Sequence, residues 1–260
     1  METVIIIPAR LESNRFPNKI LNKIQGLSMI EHVRRRCLLV KDIAGVYVAT
    51  PNVKIQEEVE RYGGNVILTN KDHENGTSRV AEAILAINCS HVILVQGDEP
   101  LILPSELDEM NAKIRNSSSE VYAWNGVSLL QHESEILDET VVKCSVFNER
   151  INYCFRKSPS VSTLQKQLKQ YYKVMGLIAF RKSFLLEFSH KEKTPIESNE
   201  SIEQLRIIEH GLVLNSVLFP KSLPSVNEEK DVSIVLDILE KDKEQRNLFS
   251  IIFNLSELSK

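Results

Sequence analysis

The stretch from Val4 to Lys19 reads VIIIPARLESNRFPNK, an apolar run followed by a loop with three cations. The run Val4–Ile7 is entirely β-branched, which is typical of a strand buried on both faces of a parallel sheet. Arg10, Arg15 and Lys19 then follow the predicted carboxyl end of this strand. Guanidinium groups bind phosphate oxygens in bidentate fashion, and an ammonium adds a point charge. The loop therefore suits a polyphosphate, with an ordinary solvated loop as the alternative; neither GxxxxGK(S/T) nor GxGxxG is present.

Further apolar runs recur along the first part of the chain, at residues 45–49, 66–68 and 91–95. Helical periodicity fills the intervals and predicts helices over residues 29–40, 53–62, 77–87 and 104–115. This alternation predicts an α/β fold with a Rossmann-like, mostly parallel sheet flanked by helices. Ligands of such sheets bind at the carboxyl ends of the strands, which directs attention to the residues after Ile7 and Val95.

The pattern changes after the serines at 117–119. It predicts strands over 121–124, 141–147, 153–156, 174–180 and 212–218, a loop over 159–170, and helices over 200–210 and 231–239. We expect one domain over 1–240, with parts at about 1–120 and 121–240, and a C-terminal amphipathic helix over 241–260 that packs on its own domain. On the helix predicted at 29–40, Arg34, Arg35 and Arg36 fall largely off the apolar stripe. They predict a solvated face, with a nucleic-acid patch as the alternative.

The composition excludes several classes of protein. With 260 residues, 42% hydrophobic and 26% charged, the chain is typical of a globular protein rather than a disordered, collagen-like or membrane protein. A net charge of −3 provides no general attraction for nucleic acid or anionic lipid. No apolar run approaches the ~20 residues of a spanning helix, so we expect a cytoplasmic protein without membrane insertion. The four cysteines form no CxxC pair, which predicts reduced, mostly buried thiols.

Two more clusters carry chemistry. Gln96-Gly97-Asp98-Glu99-Pro100 follows the apolar run that ends at Val95, so Asp98 suits a Mg²⁺ ion shared with substrate phosphates; capping of the next helix is the weaker interpretation. The stretch from residue 72 to 79 reads DHENGTSR and leads into a predicted helix, where the amides of Gly76 and Thr77 and the side chain of Arg79 could hold an anion or a base edge. His73 is expected to be a hydrogen-bonding loop residue rather than a base.

The order and spacing of PAR-x4-R-x-P-x-K, DH-x2-GT-x-R and QGDEP resemble the sugar-activating cytidylyltransferases, most closely the 3-deoxy-manno-octulosonate (Kdo) cytidylyltransferase, or CMP-Kdo synthetase, family. The resemblance runs from Thr3 to about Val232. It includes Gly176 and the block E-x2-E-x2-EQLR over residues 197–206. Only the last predicted helix lies outside it.

The resemblance implies a nucleotide-diphospho-sugar transferase type of fold with a small β-rich insertion for dimerisation and sugar binding. It implies a homodimer that couples CTP to a 3-deoxy-ulosonic acid and releases pyrophosphate, with Mg²⁺ as cofactor, for lipopolysaccharide or surface polysaccharide synthesis. By their match to the family's motifs, the nucleotide-binding residues are Pro8, Ala9, Arg10, Arg15, Lys19, Gly76, Thr77, Arg79 and Gln96. The same match makes Lys19, Arg10 and Asp98 the catalytic residues, Asp98 and Asn227 the metal ligands, and Arg156, Glu203 and Gln204 the sugar-binding residues.

Three positions depart from the family's pattern. Asn18 replaces a loop glycine, and asparagine also enters the left-handed region in tight loops. Val174 replaces a histidine of the sugar site, so another keto-deoxy sugar is an alternative acceptor. Asn227 replaces an aspartate, and an amide oxygen brings no charge to a metal. The alternatives are therefore a cytidylyltransferase for a sialic-acid-like nonulosonate or amino-Kdo, and a noncatalytic nucleotide-binding paralogue.

Overall fold

The computed structural model describes residues 2–13 and 15–255. The helices are α1 (Met29–Cys37), α2 (Val53–Arg61), α3 (Gly76–Ala83), α4 (Pro104–Asn116), α5 (Glu133–Leu137), α6 (Leu164–Leu168), α7 (Lys182–Phe188), α8 (Pro195–Glu200), α9 (Gln204–Glu209), α10 (Asp231–Lys241) and α11 (Lys243–Asn254). The strands are β1 (Thr3–Pro8), β2 (Lys23–Ile24), β3 (Leu27–Ser28), β4 (Gly45–Thr50), β5 (Asn65–Leu68), β6 (His91–Val95), β7 (Ala123–Leu129), β8 (Lys143–Phe147), β9 (Arg150–Phe155), β10 (Tyr171–Arg181) and β11 (Leu214–Phe219).

The chain forms two compact units. The first unit comprises the chain up to Asn111 together with the chain from Leu223 onward, and the second unit comprises Ala112–Ser222. The units therefore do not coincide with the predicted parts 1–120 and 121–240, because the last two helices return to the first unit. Within residues 2–13 and 15–255, no helix combines the length and apolarity needed to cross a bilayer.

The first unit contains a four-stranded parallel sheet in the order β5-β4-β1-β6. Along the chain these are the third, second, first and fourth strands, which is the order of one half of a doubly wound fold. The central strand β1 is buried throughout, since both of its edges are paired and both of its faces are covered. The strand order reverses between β1 and β6, so their following loops diverge and open a crevice. The predicted fold class is confirmed.

The predicted solvated face at Arg34, Arg35 and Arg36 is wrong, because all three side chains are buried. Arg34 and Arg35 both donate to the carboxylate of Glu31, which lies one turn earlier on α1. Arg36 donates from Nη1 to the carbonyl of Ile102 at 3.2 Å. A basic run can therefore lie inside a protein when a buried carboxylate and backbone carbonyls supply acceptors.

The C-terminal helix α11 packs within the first unit, as predicted for the described part of 241–260; residues 256–260 lie outside the described residues. Leu248 and Ile252 of α11 cluster with Leu27 and Leu103. At the C-terminal turn of α11, Arg35 Nη1 donates to the carbonyls of Ile252 and Phe253. Tertiary contacts thus fix both the apolar face and the end of this helix.

The second unit is rich in strands. Its five strands pair in the order β10-β7-β11-β9-β8, and β8 also pairs with β10, so the ladder closes on itself. The predicted helix over 200–210 is wrong in extent: α8 and α9 are separate, and Ser201 between them has a φ of 53°. The predicted loop over 159–170 contains α6.

The cysteines behave as small apolar residues. Cys37, Cys144 and Cys154 are buried free thiols, as predicted, and Cys89 is partly exposed. Cys144 and Cys154 face each other across β8 and β9. Burial raises the pKa of the Cys154 thiol to about 12, so it is neutral at physiological pH.

Candidate active site

A cleft of about 500 Å³ opens in the first unit at the carboxyl ends of β1 and β6. The residues after Ile7 and Val95 reach it because these two strands are neighbours in the sheet. The start of α3 and the segment before α10 complete its walls. The sequence predicted this location from the strand pattern alone.

The cationic loop after β1 has a fixed shape. Asn18 has a φ of 55°, the left-handed conformation that the sequence predicted for it, and its amide donates to the carbonyl of Leu11. Asn52, in the loop after β4, accepts from the amide of Leu11 at 3.1 Å and donates to Glu12 at 3.4 Å. The amide of Ala9 donates to the carbonyl of Ala49. The loop is therefore tied to the end of β4 before any ligand binds.

Unpaired positive charge faces the cleft. Among the described residues, Arg10 and Arg15 line the cleft without an ion pair or hydrogen bond, and both are exposed. Arg79 is buried and donates to Thr69 Oγ1 at 2.6 Å and to the carbonyl of Asn70 at 3.0 Å. Burial, and then the charge of Arg10, lower the pKa of the Arg79 guanidinium. Cations held near one another favour an anionic ligand.

Lys19 and Asp98 meet across the cleft. Lys19 Nζ lies 2.7 Å from Asp98 Oδ2, with 12% and 26% of the two side chains exposed. Residues separated by almost eighty positions thus converge on one point, as the polyphosphate hypothesis requires. The side chain of Asp98 faces Lys19, and it is Glu106 that accepts from the amide of Leu103 at the start of α4. Capping of that helix by Asp98 is therefore excluded.

The segment before α10 brings Asn227 to the same cleft. The amide of Val226 donates to the carbonyl of Asp98 at 2.9 Å, so the next side chain, Asn227, lies beside the Asp98 segment. Asp231 accepts from the amides of Asn227 and Glu228 and closes the turn into α10. Among the described residues, Asp98 Oδ1 and Asn227 Oδ1 accept no hydrogen bond. These two oxygens are the cleft atoms whose chemistry fits a hard cation.

The start of α3 approaches β1 closely. A Cβ added at Gly76 would lie 2.9 Å from Pro8 Cγ, so this position requires glycine. Asn75 caps the helix by accepting from the amide of Ser78. His73 is hydrogen-bonded to Ser78 and to Glu82, which confirms its predicted role as a loop hydrogen-bonder. Because the backbone at Gly76 lies so close to Pro8, the N-terminal end of α3 lines the cleft.

Most of the predicted nucleotide and metal residues line this one cleft; they are Pro8, Ala9, Arg10, Arg15, Lys19, Gly76, Arg79, Gln96, Asp98 and Asn227. Thr77 does not line it, and its side chain is 3% exposed. Sequence reasoning missed six further lining residues: Glu12, Ser13, Ile20, His73, Asn75 and Gly97. Five of the six lie inside the quoted motifs and Ile20 directly follows Lys19, so their positions could have found them.

The residues that the resemblance implies for sugar binding lie in the second unit. Arg156 donates to the carbonyls of Glu200, Glu139 and Ser201, which ties three backbone segments together. Gln204 Nε2 donates to Asn125 Oδ1 at 2.9 Å. Asn125 in turn donates to the carbonyl of Met175, beside the irregularity of β10. Glu203 directly precedes α9.

Over residues 2–13 and 15–255, no group of three or more histidine, cysteine, aspartate or glutamate side chains is arranged to hold a metal ion. A cation in the cleft would thus have one carboxylate and one amide from the chain, with its other ligands from water or a bound anion. Mg²⁺ is commonly bound in this way, through one or two carboxylates and substrate phosphates.

Comparison with known proteins agrees with this geometry. A family model described as "Cytidylyltransferase" matches residues 4–221. The 3-deoxy-manno-octulosonate cytidylyltransferase of Geobacter metallireducens is 34% identical over 252 residues, covering 93% of this chain and 99% of that protein. The 8-amino-3,8-dideoxy-manno-octulosonate cytidylyltransferase of Shewanella loihica is 32% identical, covering 90% and 97%.

A solved structure of CMP:2-keto-3-deoxy-manno-octonic acid synthetase complexed with CTP matches with a TM-score of 0.87 and 30% identity, covering 93% of this chain and all of that one. An inositol-1-phosphate CTP transferase from T. maritima, 16% identical with a TM-score of 0.67, shares the fold. The chain therefore belongs to the cytidylyltransferase family, as a relative of the CMP-Kdo synthetases.

Proposed function

We propose that this protein transfers CMP from CTP to the anomeric hydroxyl of Kdo or a related 3-deoxy-ulosonic acid, and releases pyrophosphate for surface polysaccharide synthesis. The observation that carries the proposal is the single cleft that holds the buried Arg79, the Lys19–Asp98 pair, and Arg10 and Arg15, which have no ion pair among the described residues. Its position at the switch point of a parallel sheet is where such folds bind nucleotides. The named relatives act on Kdo or its 8-amino form.

The proposed chemistry is an in-line displacement at the α-phosphorus. The sugar hydroxyl oxygen forms a bond to the α-phosphorus and releases its proton to water, the bond from the α-phosphorus to the bridging oxygen breaks, and pyrophosphate leaves with both bonding electrons. Lys19, Arg10 and Arg15 neutralise the charge that develops on the leaving group, while Arg79, fixed by Thr69 and Asn70, orients the nucleotide. Positioning and electrostatics supply the acceleration, and no covalent enzyme intermediate is needed.

We also propose that Asp98 and Asn227 hold Mg²⁺ in this cleft. The Oδ1 atoms of the two side chains support this, since they accept no hydrogen bond from the part of the chain that the structure describes. The hydrogen bond from the Val226 amide to the Asp98 carbonyl, which brings the two segments together, supports it as well. When bound, the ion would offset negative charge on the phosphate oxygens. Asp98 Oδ2 keeps Lys19 in position beside it.

We further propose a cytoplasmic homodimer that associates through the second unit. Val127 of β7 pairs with Leu218 of β11, so Leu129 lies on the same face as Leu218. Leu129 and Leu218 are 44% and 50% exposed, and Phe147 of β8 is 71% exposed. Exposed apolar side chains on a sheet are typical of an interface. Light scattering after gel filtration should give twice the chain mass, and a monomer would contradict this part of the proposal.

The central test is pyrophosphate release from CTP in the presence of Mg²⁺ and each of three acceptors: Kdo, 8-amino-3,8-dideoxy-manno-octulosonate and a sialic acid. We expect release with one of the two octulosonates. CTP binding without release for any acceptor would support the noncatalytic alternative instead. Asp98→Asn, which keeps the side-chain shape but removes the charge, should lower kcat about 100-fold or more. Asp237→Asn, which neutralises an exposed carboxylate on α10, is the matched control and should retain full activity.

A further inference from the structure

The segment from Asp98 to Leu103 is held by donors from three separate parts of the first unit. The carbonyl of Asp98 accepts from the Val226 amide at 2.9 Å, and the carbonyl of Ile102 accepts from Arg36 Nη1 at 3.2 Å. Between them, the carbonyl of Leu101 accepts from Gln245 Nε2 of α11 at 2.9 Å. This short segment connects the end of β6 to α4, and the Asp98 carboxylate projects from its first residue.

The side-chain amide of Gln245 is buried, which is unusual for a glutamine. Its side chain is 1% exposed, and its buried Oε1 atom has no hydrogen-bond partner within residues 2–13 and 15–255. A buried acceptor without a partner is unfavourable, and an apolar residue of the same size would avoid that cost. The donor atom Nε2, by contrast, makes a bond of good length to Leu101. The favourable contribution of this amide therefore comes from its donor atom.

The apolar contacts converge on the same segment. One buried cluster joins Phe16 of the cationic loop, Leu101 after Asp98, and Val226 before Asn227, with Val235 and Leu239 of α10 packed among them. Leu103 packs against α11. The family match ends at residue 221, before both of these helices begin. The C-terminal helices therefore pack against apolar side chains of all three segments that form the cleft, and Gln245 adds a contact to the backbone of one of them.

We propose that Gln245 is a positioning residue, which holds the Asp98 carboxylate at the working distance from Lys19 by fixing the backbone at Leu101. The proposal rests on the proposed function, since it assigns Gln245 to the reaction at that cleft. Gln245 touches no substrate and acts only through the backbone. Loss of its donor should let the segment from 98 to 103 move while the parallel sheet stays intact.

The test is Gln245→Met in the full chain, because methionine has a similar volume and removes both the donor and the unpaired Oε1. Hydrogen exchange followed by mass spectrometry should show amides over 98–103 exchanging about fivefold to tenfold faster than in the wild type. In the same variant kcat should fall about fivefold or more, while the KM for the sugar changes less than twofold. The urea midpoint should stay close to that of the wild type. If methionine prevents folding, Gln245→Leu serves instead.

Gln167→Met is the matched control. Gln167 is also a buried glutamine, and it donates from Nε2 to a backbone carbonyl at 2.7 Å. Its Oε1 also has no partner among the described residues, but Gln167 lies in α6 of the second unit. It should leave exchange over 98–103 unchanged. Wild-type exchange over 98–103 in Gln245→Met would overturn the inference, as would faster exchange with unchanged kcat. A wild-type protein that releases no pyrophosphate would instead overturn the proposed function, through a separate measurement.

Discussion

Glu31→Gln should destabilise this protein more than any exposed charge change. The Glu31 side chain is fully buried, and its two oxygens accept from Arg34 Nε and Nη2 at 2.6 and 2.8 Å and from Arg35 Nε at 2.8 Å. Glutamine keeps the shape but removes the charge, and its amide would place a donor against a guanidinium donor. Breaking a buried ion pair by removing one partner costs about 3–5 kcal/mol.

This loss is a large part of the roughly 5–15 kcal/mol that stabilises an ordinary domain. Urea unfolding followed by circular dichroism measures it, and the melting temperature should fall by on the order of 10 °C. The matched control is Asp237→Asn, which removes an exposed pair with Lys241 and should cost no more than about 0.5 kcal/mol. A loss below about 1 kcal/mol in Glu31→Gln would refute the conclusion that Glu31 compensates the buried arginines.

Two further predictions concern pH and loop conformation. Burial lowers the pKa of His32 to about 4, while its Nε2 donates to the carbonyl of Ile24. Since the unfolded chain takes up a proton that the folded chain excludes, stability is full above about pH 6.5 and falls by up to about 1.4 kcal/mol per pH unit toward pH 4. His32→Gln should flatten that slope in urea titrations, and an unchanged slope would assign it to other groups. Asn18→Gly should unfold at the wild-type temperature. Asn18→Val is strained at a φ of 55°, so it should lower the free energy of unfolding by about 1–2 kcal/mol and raise the KM for CTP. Equal behaviour of the two variants would contradict the left-handed conformation of residue 18.

The parallel sheet and the cleft could be predicted because their signals are local. Val4–Ile7 is apolar at every position, and a strand that is buried on both faces requires an apolar residue at every position. The charged residues of the candidate site come in the loops that follow these strands. The positions of the loops in the chain therefore suffice to place Lys19 and Asp98 at one edge of the sheet. Asn18 was predictable for the same reason, since its backbone conformation depends on its own side chain.

The burial of the three arginines could not be predicted, because some of the groups that accept their hydrogen bonds are distant in sequence. Helical periodicity places Arg35 off the apolar stripe, but the acceptors at the end of α11 lie more than two hundred positions away. The same is true of Gln245, whose partner is Leu101. Burial of a polar residue depends on where its acceptors are, and a single sequence does not contain that information.

The error over 200–210, in contrast, had a local signal. Thr194-Pro195-x-Glu197 has a capping residue, a proline at the first helical position and an acidic residue at the third. These residues mark a helix start at Pro195, which the structure shows.

The contact between Lys19 and Asp98 has a thermodynamic consequence for ligand capture. A free lysine side chain samples many rotamers, and immobilising it costs about 1.5–2 kcal/mol of conformational entropy. Because Asp98 already restrains Lys19, that entropy is lost when the chain folds rather than when a nucleotide arrives. Arg10 and Arg15 have no such restraint among the described residues, so their ordering would accompany each binding event. Calorimetric titration should thus show a smaller entropic penalty for contacts with the lysine than for contacts with the two arginines.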